Sequence, residues 1–551
     1  MYTKIVENNK NTLNLINYNL NFISRLKDFR IGLSFLIIFS LLLSFILSLP
    51  LLYLLFKLTF GINLFIDFIF NFKIFKLAMN TMLLVILVVF FAVLISLPLA
   101  FLNVRSNIPF AKHLTSISVL PIALPSYVMA TTQIELWGPR GLVYDFLNKI
   151  FGINQIPSFY GLSGSVFVLS LITYPYIYIG LCAMFRRFDY QMIDASKTLG
   201  SSNFQTFGKI IFPLVKPTIA SGSLLVALYV LSDFGAISLL RFNTFTTAIF
   251  NRMYTSIGNY GVLEISTLAI FFCFFILFLE SRTRNNSRHF SNSSNVKIKK
   301  SDLGFWKWIL FPIVLMPPIL GFLLPVSVLI YWLVQGILHD NSFTNIISST
   351  INTISISLLT SLIVTIFSIP IILIIRKKIK FLSSIIEKSC YIGLSLPGIV
   401  VGMSLVFFSI NYFDLIYQTY IILVLAYLIS FLPAVITPIR STLTQIDPKL
   451  EEASYTLGKG KILTFYNIVV KLSTPGFIYG AILVFILCLK ELPATLILSP
   501  VGFSTLATSI WASANEAFFM DTAAASLILV IIAGIPSYLF MSNDLSKKVS
   551  L

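Results

Sequence analysis

Asp194-Ala195-Ser196-Lys197-Thr198-Leu199-Gly200 and Glu452-Ala453-Ser454-Tyr455-Thr456-Leu457-Gly458 are one polar motif written twice in this chain. The likeness continues downstream, where Phe207, Ile210, Leu214, Pro217 and Gly222 match Phe465, Ile468, Leu472, Pro475 and Gly480. Every pair is 258 positions apart (194 against 452, 222 against 480), so the copies align without a gap. Each copy lies between two long apolar segments. A polar loop repeated at equivalent places between such segments is where something outside a membrane would take hold.

With 57% hydrophobic and 11% charged residues and a mean hydropathy of +0.91, the chain is excluded from the class of ordinary water-soluble domains. About 20 residues at 1.5 Å each cross a hydrocarbon core of about 30 Å. Apolar runs of that length lie near 31–58, 77–102, 114–134, 162–184, 216–240, 262–280, 305–335, 350–376, 388–411, 417–439, 474–499 and 520–542. The first follows a polar tail carrying Lys4, Lys10, Arg25, Lys27 and Arg30. Further spans come after it, so it reads as a membrane helix and not as a cleaved signal peptide.

The net charge of +18 is explained by topology. With the N-terminus in the cytoplasm and the spans alternating, about 31 of the 39 basic residues fall inside and about seven outside, the bias of the positive-inside rule. Lys490 lies within a span. The basic excess is therefore not a nucleic-acid site. The four cysteines (Cys182, Cys273, Cys390, Cys488) are far apart, in or beside apolar runs, and read as small apolar fillers. The three histidines form no metal-ligand cluster.

The duplication extends beyond the loop. Asn80-Thr81 matches Asn352-Thr353, Pro98 matches Pro370, and Leu124-Pro125 matches Leu396-Pro397, all at an offset of 272. The drop from 272 to 258 places 14 additional residues in the first half, and the turn-rich stretch from Trp137 to Tyr160 is the natural place for them. The offset of 258 also relates Asp233 to Glu491, Ala236 to Ala494, Phe245 to Phe503 and Thr247 to Thr505. The expected organisation is thus a first six-helix unit over 1–280 with its loop at 186–215, a cytoplasmic linker over 281–304 rich in Ser, Asn, Arg and Lys, and a second six-helix unit over 305–551 with its loop at 440–473. Six spans return the chain to its starting side, so the halves are parallel. Such duplication predicts a pseudo-two-fold axis along the membrane normal and a substrate path between the halves.

Each loop reads as a helix–turn–helix at the inner surface. In the second copy Asp447 can cap a helix, Pro448 suits its first position, and the acids next in line suit the positive end of the helix dipole. Gly458 supplies a left-handed residue that ends it. A second short helix then carries Leu463, Phe465, Ile468 and Val469 before the next span. The first copy runs likewise from Asp189 to Gly200 and on through Phe204 and Phe207 to Ile210. One such loop reads equally well as an interfacial helix packed on its own bundle. Two copies at one topological position read as twin docking knobs for a two-fold symmetric partner.

The acidic-Ala-Ser-x-Thr-Leu-Gly pattern followed by an apolar helix and Pro resembles the EAA loop of bacterial ABC-importer permeases. The resemblance covers essentially the whole chain as two fused units of the MetI-like permease type, an all-α integral membrane fold. It implies that Asp194, Ala195 and Gly200, with Glu452, Ala453 and Gly458, dock a homodimeric ATP-hydrolysing subunit. It also implies a periplasmic substrate-binding protein as donor and the bacterial inner membrane as location, with both termini cytoplasmic. The first copy has the family's Pro after the apolar helix (Pro213), where the second has Lys471. Ser232-Asp233-Phe234-Gly235-Ala236 and Lys490-Glu491-Leu492-Pro493-Ala494 are similar to segments of fused iron(III) permeases, on a scaffold that thiamine and polyamine permeases share.

No Gly-x-x-x-x-Gly-Lys-[Ser/Thr] occurs, so ATP and magnesium are expected on a partner and no cofactor or resident metal in this chain. Asp233 and Glu491 are expected near the outer mouth as matched acids on the cargo path, with carboxylate oxygens suited to ferric iron. The alternative is that each caps a break in its helix, or that Glu491 pairs with Lys490. The leading expectation is a ferric-iron permease with no enzymatic activity of its own. An ion-coupled secondary transporter would need more buried charges than this chain offers. An integral-membrane enzyme would need a compact polar constellation that it lacks.

Overall fold

The computed structural model describes residues 36–59, 71–139, 141–152, 158–187, 196, 198–255, 260–286, 302–339, 346–376 and 380–547. Among them there is no strand. Ten helices are long and apolar enough to cross a membrane, or up to twelve if each of two sharply bent pairs counts as one span. The all-α architecture and the count of about twelve follow the apolar runs. The N-terminal tail and most of the linker lie outside the described residues. The helix Tyr260–Asn286 continues six residues past the boundary read at 280.

Two compact units are formed. One comprises the described residues up to Leu49 with Leu362–Leu394 and Phe431–Ala481; the other comprises Pro50–Ser361, Ser395–Ser430 and Ile482–Leu551. These are not the two sequence halves, because long helices such as Ile346–Arg376 and Tyr420–Leu443 pass from one unit into the other.

The repeat nevertheless appears contact by contact within each unit. A Cβ on Gly222 would lie 3.1 Å from the Cα of Ile177, and one on Gly480 would lie 3.2 Å from the Cα of Val435. Ile177 and Val435 are themselves 258 apart, so each glycine lets the helix after the loop approach the helix before it at the same point. One turn nearer the loop the small residue changes sides: Gly180 faces Thr218 in the first copy, whereas Gly476 faces the backbone of Pro438 and Ile439 in the second. Close approach needs one glycine per crossing and is indifferent to which helix carries it.

Four spans are broken rather than straight. His113–Ala123 and Ser126–Phe151 meet at 100°, and Leu382–Gly393 and Gly398–Tyr412 meet at 102°. The hinges are the matched pairs Leu124-Pro125 and Leu396-Pro397. Proline removes an N–H and holds the residue before it extended, which ends a helix. The runs read at 216–240 and 474–499 are broken as well. Phe212–Ser232 stops at Asp233, and a short helix, Gly235–Leu239, comes next. Lys471–Lys490 is likewise succeeded by Pro493–Leu498. Apolar residues on both sides of each break hide it from a hydropathy reading.

Two expectations of register and local form are corrected. Asn80 and Asn352 donate to the backbone oxygens of Asn243 and Ser504, and the hydroxyls of Thr81 and Thr353 accept from the N–H groups of Phe245 and Leu506. These contacts pair Thr244 with Thr505 and Thr247 with Thr508, an offset of 261. The pairings of Phe245 with Phe503 and of Thr247 with Thr505 are therefore three residues out. Three additional residues lie in the second half's turn, between Leu498 and Thr505. In the first half, the stretch carrying the 14 additional residues includes a helix, Leu142–Phe151, ended by Gly152 at φ +64°.

Candidate functional site

Two features bear on function: the twin loops and the capped breaks. In the second loop Asp447 accepts from the N–H of Lys449 at 3.0 Å and caps the helix Pro448–Thr456, with proline at its first position. Gly458 takes φ +79°, and the Lys459 N–H returns to the Ser454 oxygen at 3.1 Å. This six-to-one closure satisfies a carbonyl that the ending helix leaves bare. The first loop closes the same way, with Gly200 at φ +81° and the Ser201 N–H on the Ser196 oxygen at 3.1 Å.

A staple then fixes each turn. The hydroxyls of Ser196 and Thr206 lie 3.0 Å apart, and those of Ser454 and Thr464 lie 2.8 Å apart, all four buried. The segment beyond each staple corrects the expectation of a separate short helix, for it runs on into the next span. Asn203–Thr206 passes through a π turn at Phe207–Ile211 into Phe212–Ser232, and Lys461–Thr464 passes through Phe465–Val470 into Lys471–Lys490.

Among the docking residues, Asp194 and Ala195 lie outside the described residues. Ala453, Gly458 and Gly200 are exposed, and Glu452 is exposed as well. Between the acid and the glycine of each copy stands a residue the docking set omitted: Leu199 is 85% and Leu457 80% exposed at the loop tips. Each is an exposed apolar side chain at the tip of a stapled turn, a feature that a partner surface would cover. The repeated Leu-Gly was the available signal.

Asp233 and Glu491 both cap. The Asp233 carboxylate accepts from the N–H groups of Ala236 at 3.1 Å and Ile237 at 3.4 Å, and has Ser126 as a further hydrogen-bond partner. The Glu491 carboxylate accepts from the Ala494 N–H at 3.2 Å. Each therefore satisfies the start of the short helix beyond its break. Position 126 or 398, directly after the Leu-Pro hinge, faces the acid in both halves. It is Ser126 beside Asp233, and Gly398 beside Glu491, where a Cβ would come within 2.5 Å of the carboxylate oxygen. Lys490 does not turn to Glu491; its ammonium donates to the Ile122 oxygen at 2.8 Å.

Between these breaks stands Tyr127, absent from the sequence-based site. A Cβ on Gly235 would meet the Cβ and one ring carbon of Tyr127 at 3.0 Å and the Leu492 side chain at 3.2 Å, so Tyr127 and Leu492 meet at Gly235, two residues beyond Asp233. Its hydroxyl is buried and makes no hydrogen bond among the described residues. Its signal was the residue two places after the Pro125 hinge, where the second half has Ile399. Among the described residues no group of three His, Cys, Asp or Glu side chains is placed to hold a metal ion. Each acid is engaged by the N–H groups of its own short helix.

Twin stapled loops that run straight into spans, each span ending at a capped break, define the transmembrane component of a transport system. The chain belongs to the family described as the inner membrane component of binding-protein-dependent transport systems, which it matches over residues 92–283 and again over 357–543. It is a multi-pass membrane transport component and not an enzyme. It is 30% identical over 500 residues to the Fe(3+)-transport system permease protein FbpB 2 of Haemophilus influenzae, covering 90% of this chain and 95% of that one. It is 24% identical to the ferric transport system permease protein FbpB of Actinobacillus pleuropneumoniae over 69% of this chain and 58% of that one. Similarity to the molybdenum transport system permease protein ModB of Escherichia coli is 28% but spans only 32% of this chain and 81% of that one.

Proposed function

We propose that this chain is the permease subunit of an ATP-driven importer of ferric iron, fed by a periplasmic binding protein. The observation that carries the substrate is the end-to-end similarity to an Fe(3+)-transport permease, covering nine-tenths of both chains. The twin loops carry the coupling. They face the cytoplasm, as do both termini, and dock a homodimer of ATPase subunits that binds ATP and magnesium; this chain supplies neither.

Mechanical continuity supports this reading. Asn203–Ser232 and Lys461–Lys490 each run thirty residues without interruption, about 45 Å at 1.5 Å per residue. A displacement imposed on a stapled loop is therefore delivered, little attenuated, to the break at Asp233 or Glu491. ATP-driven closure of the motor would move both loops and open the path alternately to each side. Asp194, Ala195, Gly200, Glu452, Ala453 and Gly458 are the docking positions, joined by Leu199 and Leu457. Asp233 and Glu491 line the path as caps whose charge also draws the cation.

Uptake of radioactive iron by cells expressing the full transporter, challenged with unlabelled iron, thiamine and spermidine, tests the substrate. Competition by iron alone is expected; competition by thiamine or spermidine would transfer the reading to those cargoes. Co-purification of the ATPase, and its loss when Asp194 and Glu452 are both replaced by Lys, tests the coupling. Uptake that survives ATP depletion would refute it.

A further inference from the structure

We propose that a cleft in this chain holds an anionic phospholipid by its acyl chain. The cleft has a volume of about 920 Å³. The helix Phe72–Arg105 contributes Leu87, Leu94 and Leu102, Leu162–Arg187 contributes Val166 and Leu171, and Trp306–Pro318 contributes Ile313 and Met316. Its polar lining residues are Ser163 and Ser170, and the Ser170 hydroxyl is buried without a hydrogen-bond partner among the described residues.

The shape of the cleft comes from how the third helix is held. At one end Leu303 donates to the Asn107 side chain at 3.1 Å, and Asn107 donates to Asp302. At the other, Gly321 packs against Pro121, which a Cβ would reach at 2.9 Å. Between these contacts the helix carries Pro312, Pro317 and Pro318 and leads into a π turn at Ile319–Leu323. The helix is pinned near both ends, and the cleft opens between the two contacts.

The lining selects the occupant. Water needs two to four polar partners per molecule, which two serines do not supply. Protein interiors do not leave such a volume empty. From Leu87 to Leu102 the cleft runs about 22 Å, enough for the tail of a lipid whose leaflet spans about 15 Å of hydrocarbon. At the start of the third helix Trp306 and Trp308 are exposed, and the Lys307 ammonium lies 5.7 Å from the Trp308 ring centroid. Paired aromatics with a lysine are the anchors of a membrane–water interface. The cation there selects a negatively charged headgroup.

The test uses the full chain in nanodiscs containing phosphatidylglycerol or phosphatidylcholine with a photoactivatable acyl chain, the adducts being mapped by mass spectrometry. With phosphatidylglycerol, adducts along the three lining segments should exceed by several-fold those at the exposed residues Ile351 and Leu358. Ser170→Phe, and the milder Val166→Met, should lower the cleft adducts and leave the controls unchanged. Lys307→Gln should remove the preference for phosphatidylglycerol. Yields equal to the controls, or insensitive to both filling substitutions, would overturn the proposal, as would a co-purifying protein segment crosslinked in the cleft.

Discussion

The hydroxyls of Ser454 and Thr464, ten residues apart, meet inside the loop that projects from the second half, and Ser196 and Thr206 meet identically in the first. This bond closes each turn on a buried contact between its two arms. Removing one partner leaves the other buried and unsatisfied, at a cost of about 1–3 kcal/mol. Ser454→Ala is expected to lower the thermal midpoint in detergent and to uncouple ATP hydrolysis from uptake. The double variant Ser454→Ala/Thr464→Val should lose less than the sum of the two single ones, since both remove one interaction. Strict additivity would show that the pair does not act together.

Leu199 and Leu457 are largely exposed at the loop tips. Replacing both with Asp should leave the stability of the isolated permease within about 0.5 kcal/mol of the parent, as exposed substitutions do. Recovery of the ATPase on affinity purification should fall at least about tenfold, the factor that about 1.4 kcal/mol of lost binding produces. A fall in stability with the ATPase retained would make these leucines structural.

Asp233 and Glu491 combine a cap with a charge, and substitution separates the two. Asp233→Asn and Glu491→Gln keep an oxygen for the waiting N–H groups and remove the charge. Asp233→Ala removes both, and loss of a cap costs about 0.5–2 kcal/mol. If the charge draws iron, the Asn and Gln variants will fold normally, bind the ATPase and import iron several-fold more slowly. Unchanged uptake by the double Asn/Gln variant would confine both residues to capping.

Gly222 and Gly480 set helix crossings where an added carbon would press on the neighbouring helix at 3.0–3.4 Å. Gly480→Val should destabilise the protein by about 1–3 kcal/mol through overpacking against Val435. Gly534, where an added Cβ would meet nothing within 4 Å, serves as the control: Gly534→Ala should be neutral or slightly stabilising in its helix. Denaturation monitored by tryptophan fluorescence would check both.

Much of this was legible in the residues. Asp447-Pro448 opens a helix and Gly458 closes it because caps and left-handed turns are decided by neighbours in the chain, and the structure has both. The spans were legible because length and hydropathy suffice to identify them. The breaks at Asp233 and Glu491 could be weighed only as an alternative, since the apolar run continues through them. The continuous passage from loop into span was hidden because a π turn leaves no compositional mark. Tyr127 was hidden because its meaning lies in Gly235 and Leu492, both far away along the chain.

The chain by itself determined what depends on local chemistry and counting: an all-helical membrane protein, written twice, with a capped polar loop in each copy. Only the folded form decided which copies of a contact are equivalent. The bonds from Thr81 to Phe245 and from Thr353 to Leu506 moved the alignment by three residues. Sequence matching rewards identical letters, whereas tertiary packing rewards a hydroxyl and an N–H that arrive at the same place. Folding also decided that two matched acids each cap the bare N–H groups beyond their own break.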